Sequence, residues 1–203
     1  MRTVTWLLAL GAAAAVAVAA PAYAQSSRKD AKSDSKSEPK PAATSAGSAA
    51  PAIGGAQPSL LGQYGDWGAY TASPGGRKIC FALAKPTKAS SEPPNRPRDP
   101  AYMFISTRPS EKVANEVSVV VGYGLKSNND AVVDVGGSKF AMYTQNDGAW
   151  IKNAAEEPRL IDAMRKSADV IVRGESAKGT KTTDVYSLKG LAQALDRVSQ
   201  ECK

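Results

Sequence analysis

The chain has 203 residues, of which 26 are lysine or arginine and 19 are aspartate or glutamate, and its formal net charge is +7. It contains no histidine, which excludes Ser-His-Asp and Cys-His catalysis, metal sites built on imidazole and a side chain that ordinarily titrates near neutral pH. The positive charge is not concentrated in a stretch where aromatic and arginine residues alternate, so the sequence predicts no nucleic-acid partner.

The first 24 residues have the pattern of a secretory signal peptide. A positive start at Met1-Arg2 precedes the apolar run Val4–Ala20, and Ala22-Tyr23-Ala24 matches a small-residue cleavage site. A retained membrane anchor is the alternative, but an apolar run of about 17 residues is at the short end of what spans a bilayer. We therefore expect cleavage after Ala24, a periplasmic or secreted product and no stable membrane insertion after that cleavage.

Residues 25–59 form a second segment, rich in Ser, Ala, Lys, Pro and Gly and without an aromatic residue. Such a segment cannot bury enough apolar surface to offset the entropy lost on ordering, so it predicts a disordered linker. Its five basic and three acidic residues give a net charge of +2. A flexible tether and a weak electrostatic contact with anionic envelope polymers or membrane surfaces are both open, and the interspersed acids favour the tether.

Residues 60–203 are long enough for one domain with its own core. Short runs of strand-forming residues separated by turn signals predict seven or eight strands, from Tyr64–Thr71 to Lys181–Tyr186. Helical spacing predicts one helix near Pro158 and a C-terminal helix capped by Ser187. The expected fold is mainly β, either an antiparallel sandwich or an open barrel.

Two sets of side chains are candidates for a contact with a ligand. The stretch Pro86–Pro100 contains five prolines and is therefore predicted to be a loop without regular structure. Its Arg96 and Arg98 are the best candidate contact residues, although a plain solvent loop is the favoured interpretation. Trp67 and Trp150 are candidates for a ligand platform, but an aromatic residue in a strand more often belongs to the core.

The only two cysteines, Cys80 and Cys202, are the candidates for a disulfide. Cys80 lies in the apolar stretch Lys78–Lys85, and Cys202 falls seven residues after Leu195 on the apolar face of the C-terminal helix. In an oxidising compartment an isolated pair favours a disulfide over a metal site. Two unpaired buried cysteines remain the alternative.

Paired carboxylates are the remaining route to catalysis. Glu156 and Glu157 are adjacent, and Asp130 lies four residues before Asp134. A solvated first helical turn and a hairpin border explain these acids better than a general acid and base do. We therefore predict no catalytic residues, no metal site and no cofactor.

Several short motifs occur in order across residues 60–203. They are Gly65-Asp66-Trp67, Cys80-Phe81-Ala82, Tyr102 to Pro109, Gly122-Tyr123, Ala149-Trp150 and the run from Tyr186-Ser187-Leu188-Lys189-Gly190-Leu191 to Cys202. Together they resemble the invasion-associated locus B family of exported bacterial proteins. In that family a further cysteine often follows the tryptophan near the start of the domain, whereas this chain has none there, which leaves Cys80–Cys202 as the one available pairing.

The resemblance implies an exported, non-enzymatic envelope protein, and founding members of the family are linked to host-cell invasion. We therefore expect a binding or interaction module for an as yet unknown protein or envelope polymer. A carboxylate-based enzyme, or an enzyme accessory that acts on envelope polymers, is the alternative. A deep cleft holding two inward carboxylates would favour the enzyme, and the missing catalytic constellation favours the module.

Overall fold

The computed structural model describes residues 50–203. The predicted signal peptide and residues 25–49 of the predicted linker lie outside the described residues, so both remain predictions. Residues 50–58, the last part of that linker apart from its final serine, pack against the domain. Ile53 and Ala56 form a β-bridge, and Ala50 is buried in a cluster with Tyr70 and Phe81.

Within residues 50–203, eleven strands form one open antiparallel sheet, which confirms the mainly β class with more strands than the seven or eight predicted. The strands are β1 (Ser59–Tyr64), β2 (Trp67–Ala72), β3 (Ile79–Ala84), β4 (Lys88–Glu92), β5 (Tyr102–Arg108), β6 (Val113–Val120), β7 (Ala131–Val135), β8 (Ser138–Gln145), β9 (Gly148–Ile151), β10 (Asp169–Glu175) and β11 (Lys181–Ser187). Their order in the sheet is β1-β2-β3-β5-β6-β9-β8-β7-β10-β11-β4.

The concave face of the sheet encloses the main core together with the helices α1 (Glu157–Lys166) and α2 (Leu191–Glu201). Fully buried side chains of this core include Trp67, Met103, Val117, Phe140, Leu160 and Tyr186. The sheet curves enough to bring β2 back to the end of β11, since the Trp67 indole N–H donates to the Ser187 carbonyl oxygen at 2.9 Å. The prediction that Trp67 belongs to the core is therefore confirmed.

The strand β4 corrects the prediction that Pro86–Pro100 has no regular structure. Residues 88–92 pair with β11 along the edge of the sheet. Pro86 precedes β4 and the other four prolines of the stretch follow it, so the segment between Pro86 and Pro93 contains no proline. Each residue of that segment keeps its N–H group, so nothing prevents it from pairing as an edge strand.

The start of α2 also differs from the prediction, because Ser187 does not cap it. Ser187 belongs to β11, and its hydroxyl accepts a hydrogen bond from the Lys189 N–H at 3.2 Å. The helix begins after Gly190, which has φ of 91° and lies against the Tyr64 carbonyl oxygen, where a Cβ would be 1.8 Å away. Only glycine fits both this left-handed backbone and this close approach.

The disulfide between Cys80 and Cys202 is present, with the Cα atoms 5.9 Å apart. It joins β3 to the residue that follows α2, across a sequence separation of 122 residues. An ion pair lies beside it, in which the Lys78 ammonium group contacts the Glu201 carboxylate at 2.7 Å. The end of the chain is thus fixed to a strand near the start of the domain, as the sequence predicts.

Three strands share a local arrangement in which the ring of an aromatic residue covers the glycine two residues before it. The pairs are Gly62 with Tyr64, Gly68 with Tyr70 and Gly148 with Trp150. A Cβ at any of the three glycines would lie between 2.4 and 2.8 Å from the nearest atom of the aromatic side chain. Because residues two apart share one face of a strand, the bare glycine backbone provides the surface on which each ring rests.

Candidate functional site

A cavity of about 470 Å³ lies where three connecting segments meet. These segments are the loop between β4 and β5, the connection from β6 to β7, and the turn from β10 to β11. We call this space the loop cavity. Its lining includes Arg96, Arg98, Tyr123, Lys178, Thr180 and Thr182.

Backbone hydrogen bonds hold the three segments together. The Asp99 N–H donates to the Gly122 carbonyl oxygen at 3.0 Å, and the Ala177 N–H donates to the Gly124 carbonyl oxygen at the same distance. Gly122 has φ of 75°, and a Cβ there would lie 2.1 Å from the Asp99 carbonyl oxygen. The cavity is therefore bordered by segments whose relative positions are already fixed, although each is irregular.

Arg98 anchors the first segment to the sheet. Its guanidinium donates to both carboxylate oxygens of Asp184, at 2.8 Å for the Nη1–Oδ2 pair, and also to the Val121 carbonyl oxygen at 3.3 Å. The Asp184 side chain is 1% exposed and that of Arg98 is 16% exposed. The hydrogen bond to Asp184 raises the pKa of Arg98 above its usual value, so the guanidinium stays charged against the carboxylate inside the domain.

Polar side chains continue from Asp184 along the inward face of β11. This face carries Thr182, Asp184 and Tyr186, which occupy every second position of the strand and are all buried. The Tyr123 and Thr182 hydroxyls share a hydrogen bond of 2.5 Å, and burial raises the pKa of the Tyr123 phenol. The Tyr186 hydroxyl has no hydrogen-bond partner among the described residues, and burial raises its pKa as well.

The two remaining cations of the loop cavity, Arg96 and Lys178, lie at its exposed edge. Within residues 50–203 neither of them forms an ion pair. The lining contains no aspartate or glutamate. The charge of Arg98 is matched by Asp184 behind it, so the net field in the cavity comes from these two side chains and favours an anion.

Comparison with protein families gives a match to the family described as Invasion associated locus B (IalB) protein over residues 67–199, about two-thirds of the chain. The chain belongs to the IalB family. This is a family of exported, envelope-associated proteins. The match runs from β2 into α2 and includes every residue that lines the loop cavity. The comparisons with curated proteins and with solved structures gave no match.

The candidate contact residues Arg96 and Arg98 both line the loop cavity of this IalB domain, but in different ways. Arg98 is held by Asp184, whereas Arg96 is exposed. Their neighbours Tyr123 and Lys178 lie on other segments, and no sequence pattern indicated that they belong to the same site. The proposed platform of two tryptophans does not form, because Trp67 is in the core and the half-buried Trp150 lies on the convex face of the sheet.

The acids that the sequence offered as carboxylate pairs each have a separate partner in the IalB domain. Glu156 binds Arg159, Glu157 accepts from the Val117 N–H, Asp130 binds Lys152 and Asp134 binds Arg173. Asp184 is the one buried acid among the described residues. In the same part of the chain no group of three His, Cys, Asp or Glu side chains is placed to hold a metal ion.

None of the helices in residues 50–203 has the length and apolar character needed to cross a membrane.

Proposed function

We propose that this IalB-family protein is a non-enzymatic binding module that accepts an anionic group of a protein or envelope-polymer partner in the loop cavity. One observation carries the proposal. Arg96 and Lys178 stand at the edge of a preformed cavity whose lining contains no acid. A carboxylate or phosphate group placed between them would gain charge-assisted hydrogen bonds, which are stronger than those between neutral groups.

The rigidity of the cavity walls supports binding as the function of this site. The backbone hydrogen bonds at Gly122 and Gly124 fix the connection from β6 to β7 to each of the other two segments. The double hydrogen bond between Arg98 and Asp184 fixes the first segment to β11. A site that is already ordered loses less conformational entropy on binding, so more of the contact energy appears as affinity.

The state of the acids supports a non-enzymatic role. General acid and base catalysis by carboxylates needs two such groups within reach of one bond. The buried Asp184 is occupied by the guanidinium of Arg98, and no acid lines the loop cavity. The alternative of a carboxylate-based enzyme or enzyme accessory therefore has no supporting observation in residues 50–203.

Export also belongs to this proposal. Membership of an exported family and the Cys80–Cys202 disulfide support a location outside the cytoplasm, because disulfides persist in oxidising compartments. We propose a periplasmic or secreted protein. A link to host-cell interaction is supported only by the description of the family.

The proposal is tested by retention of envelope material on the immobilised exported protein. An envelope extract is divided, one half is digested with protease, and the protein and polysaccharide that bind are measured for each half. The double variant Arg96→Gln/Lys178→Gln removes the cavity cations. We expect it to retain roughly tenfold less material, because two exposed ion pairs, each contributing up to about 1 kcal/mol, are lost.

A matched double variant, Arg77→Gln/Lys139→Gln, removes the same charge from exposed positions outside the cavity lining. It should retain as much material as the unaltered protein. Equal losses in the two double variants would mean that only net charge matters and would overturn the assignment of the site. The protease-treated half shows whether the partner is a protein or a polymer.

A further inference from the structure

A second surface with binding character lies on the convex face of the sheet and shares no residue with the loop cavity. Tyr143 on β8 and Trp150 on β9 are direct cross-strand partners. Their ring centroids are 5.6 Å apart and their planes differ by 19°. Tyr143 is 45% exposed, and the one other exposed large apolar side chain within residues 50–203 is Leu60. We call this pair the aromatic platform.

The Trp150 ring is held in place by the strand beneath it. It rests on Gly148, where a Cβ would lie 2.4 Å from the ring. On its other side the Trp150 ring stacks with Tyr143. Aromatic pairs in such geometry are stabilised by more than the burial of their surface area alone would give. The platform is thus a preorganised surface, which reduces the entropy lost when a flat ligand binds to it.

A cavity of about 470 Å³ borders the platform and includes Lys112, Glu116 and Lys152 in its lining. The Glu116 carboxylate is occupied by two hydrogen bonds from the Arg108 guanidinium, at 2.8 and 2.9 Å. Lys152 forms an exposed ion pair with Asp130. Exposed pairs of this kind contribute little energy and exchange easily with another anion.

The other cation of this lining is Lys112. It forms no ion pair within the described part of the chain, and its backbone adopts a left-handed conformation with φ of 55°. A non-glycine residue in this conformation is uncommon and points to a position fixed by its surroundings. The platform is therefore flanked by a cation on a defined turn, while both acids of the lining have partners of their own, Glu116 in the Arg108 guanidinium and Glu157 in the Val117 N–H.

We propose that the aromatic platform binds a pyranose ring that carries a carboxylate, as part of an acidic glycan. The C–H groups on one face of a pyranose are weakly positive and flat enough to lie on the negative face of an aromatic ring. The carboxylate would then reach Lys112, and sugar hydroxyls would reach Lys152. A few polar groups beside an apolar surface are the usual composition of a small-ligand site.

The size of the surface favours a sugar over a protein partner. Stable protein interfaces bury roughly 800 Å² on each side and have an apolar centre with several anchors. Here the exposed apolar surface is confined to one pair of rings, and charged side chains surround it. The outer face of the Tyr143 ring matches the dimensions of one sugar ring, and Lys112 matches the charge of its carboxylate.

The test is a titration of the full chain, followed by the indole N–H signals in a two-dimensional NMR spectrum. The probes are a tetrasaccharide of alternating glucuronic acid and N-acetylglucosamine and a neutral tetrasaccharide of N-acetylglucosamine. The acidic probe should shift the signal of Trp150 and leave that of Trp67 unchanged, because Trp67 is fully buried. The neutral probe should bind at the same place about threefold more weakly, since it lacks the contact with Lys112.

Variants separate stacking from charge. Tyr143→Ser should weaken binding of both probes by roughly tenfold, whereas Leu60→Ser, at the other exposed apolar residue, should change neither. Lys112→Asn keeps a residue that tolerates the left-handed backbone and should weaken only the acidic probe. Gly148→Ala should displace the Trp150 ring and weaken both.

Three results would overturn the proposal. The first is an unchanged Trp150 signal at millimolar concentrations of both probes, and the second is full affinity in Tyr143→Ser. The third is a shift of Trp150 by aromatic peptides but not by either sugar, which would identify a protein contact instead. The proposal does not depend on the loop cavity, so Arg96→Gln/Lys178→Gln should bind both probes like the unaltered protein.

Discussion

Replacing Cys80 and Cys202 by alanine should lower the free energy of unfolding by up to about 5 kcal/mol. The bond spans 122 residues, and the chain-entropy model gives about 4.9 kcal/mol at 25 °C for a loop of that length. Typical domains are stable by only about 5–15 kcal/mol, so the loss would be a large part of the total. Alanine is preferred to serine because Cys80 is fully buried, and a serine hydroxyl there would add a desolvation cost of its own.

The effect should come from the unfolded chain, because the folded positions of both residues have other supports. The apolar face of α2 packs on the sheet through residues such as Leu195, and Lys78 pairs with Glu201 beside the bond. The fold should therefore persist in the variants and unfold at lower urea concentration.

Equilibrium unfolding in urea, followed by circular dichroism, measures the change for each single variant and for the double variant. Cys80→Ala and Cys202→Ala should lose similar amounts, and the double variant little more than either, since all three lack the same link. Reductant should destabilise the unaltered protein and leave the double variant unchanged. Additive losses in the two single variants, or two free thiols in the purified exported protein, would refute this reasoning.

Three further changes test other parts of the structure. Arg98→Met should lower the free energy of unfolding by about 3–5 kcal/mol, because it leaves a buried charge on Asp184. In urea unfolding, the double variant Arg98→Met/Asp184→Asn should recover part of that loss. If the losses of the two single variants simply add in the double variant, the pairing is contradicted. Gly190→Ala should be more destabilising in thermal unfolding than Gly179→Ala. Gly179 also has a positive φ, of 81°, but open space surrounds it, so its substitution should lower the free energy of unfolding by only about 1–2 kcal/mol. Equal losses in the two variants would argue against the close approach of Gly190 to the Tyr64 backbone. Burial raises the pKa of Glu157, so the ionised carboxylate is less favourable in the folded state and stability falls as the pH rises through its pKa. Glu157→Gln should therefore be more stable at pH 7, by less than about 1 kcal/mol, and a difference that fails to shrink towards about pH 4 would contradict the burial argument.

Elements whose residues carry their own signal could be predicted from the sequence. The valine-rich run at β6 and the hairpin glycines between β7 and β8 define strands locally, and the period of α2 places Cys202 on its inner face. The valine-rich stretch from Glu116 to Leu125 predicts a strand along its whole length, but β6 ends at Val120, because Gly122 leaves the strand to contact Asp99. That contact joins residues far apart in the chain, and nothing in the local sequence indicates it.

The loop cavity could be predicted only in part for the same reason. The proline-rich composition indicated that Arg96 and Arg98 lie on a connecting segment. Their partners depend on which face of β11 turns inward, and its sequence Lys-Thr-Thr-Asp-Val-Tyr-Ser places polar residues on both faces. Hydrophobic periodicity would favour Val185 as the inward residue. In the structure Asp184 faces inward instead, because Arg98, which is 86 residues away in the sequence, pairs with its charge.

The open sheet leaves two strands, β1 and β4, with a row of backbone groups that another chain could pair with. Each is blunted in a different way. The strand β1 has an irregular register between Leu60 and Gly62, which bends the row of donors and acceptors out of line. The strand β4 has only five residues, carries a charge at each end, and is followed directly by Pro93 and Pro94. Short, charged or bulged edges resist the addition of further strands, so this sheet can remain open at both sides without recruiting its neighbours into a fibre.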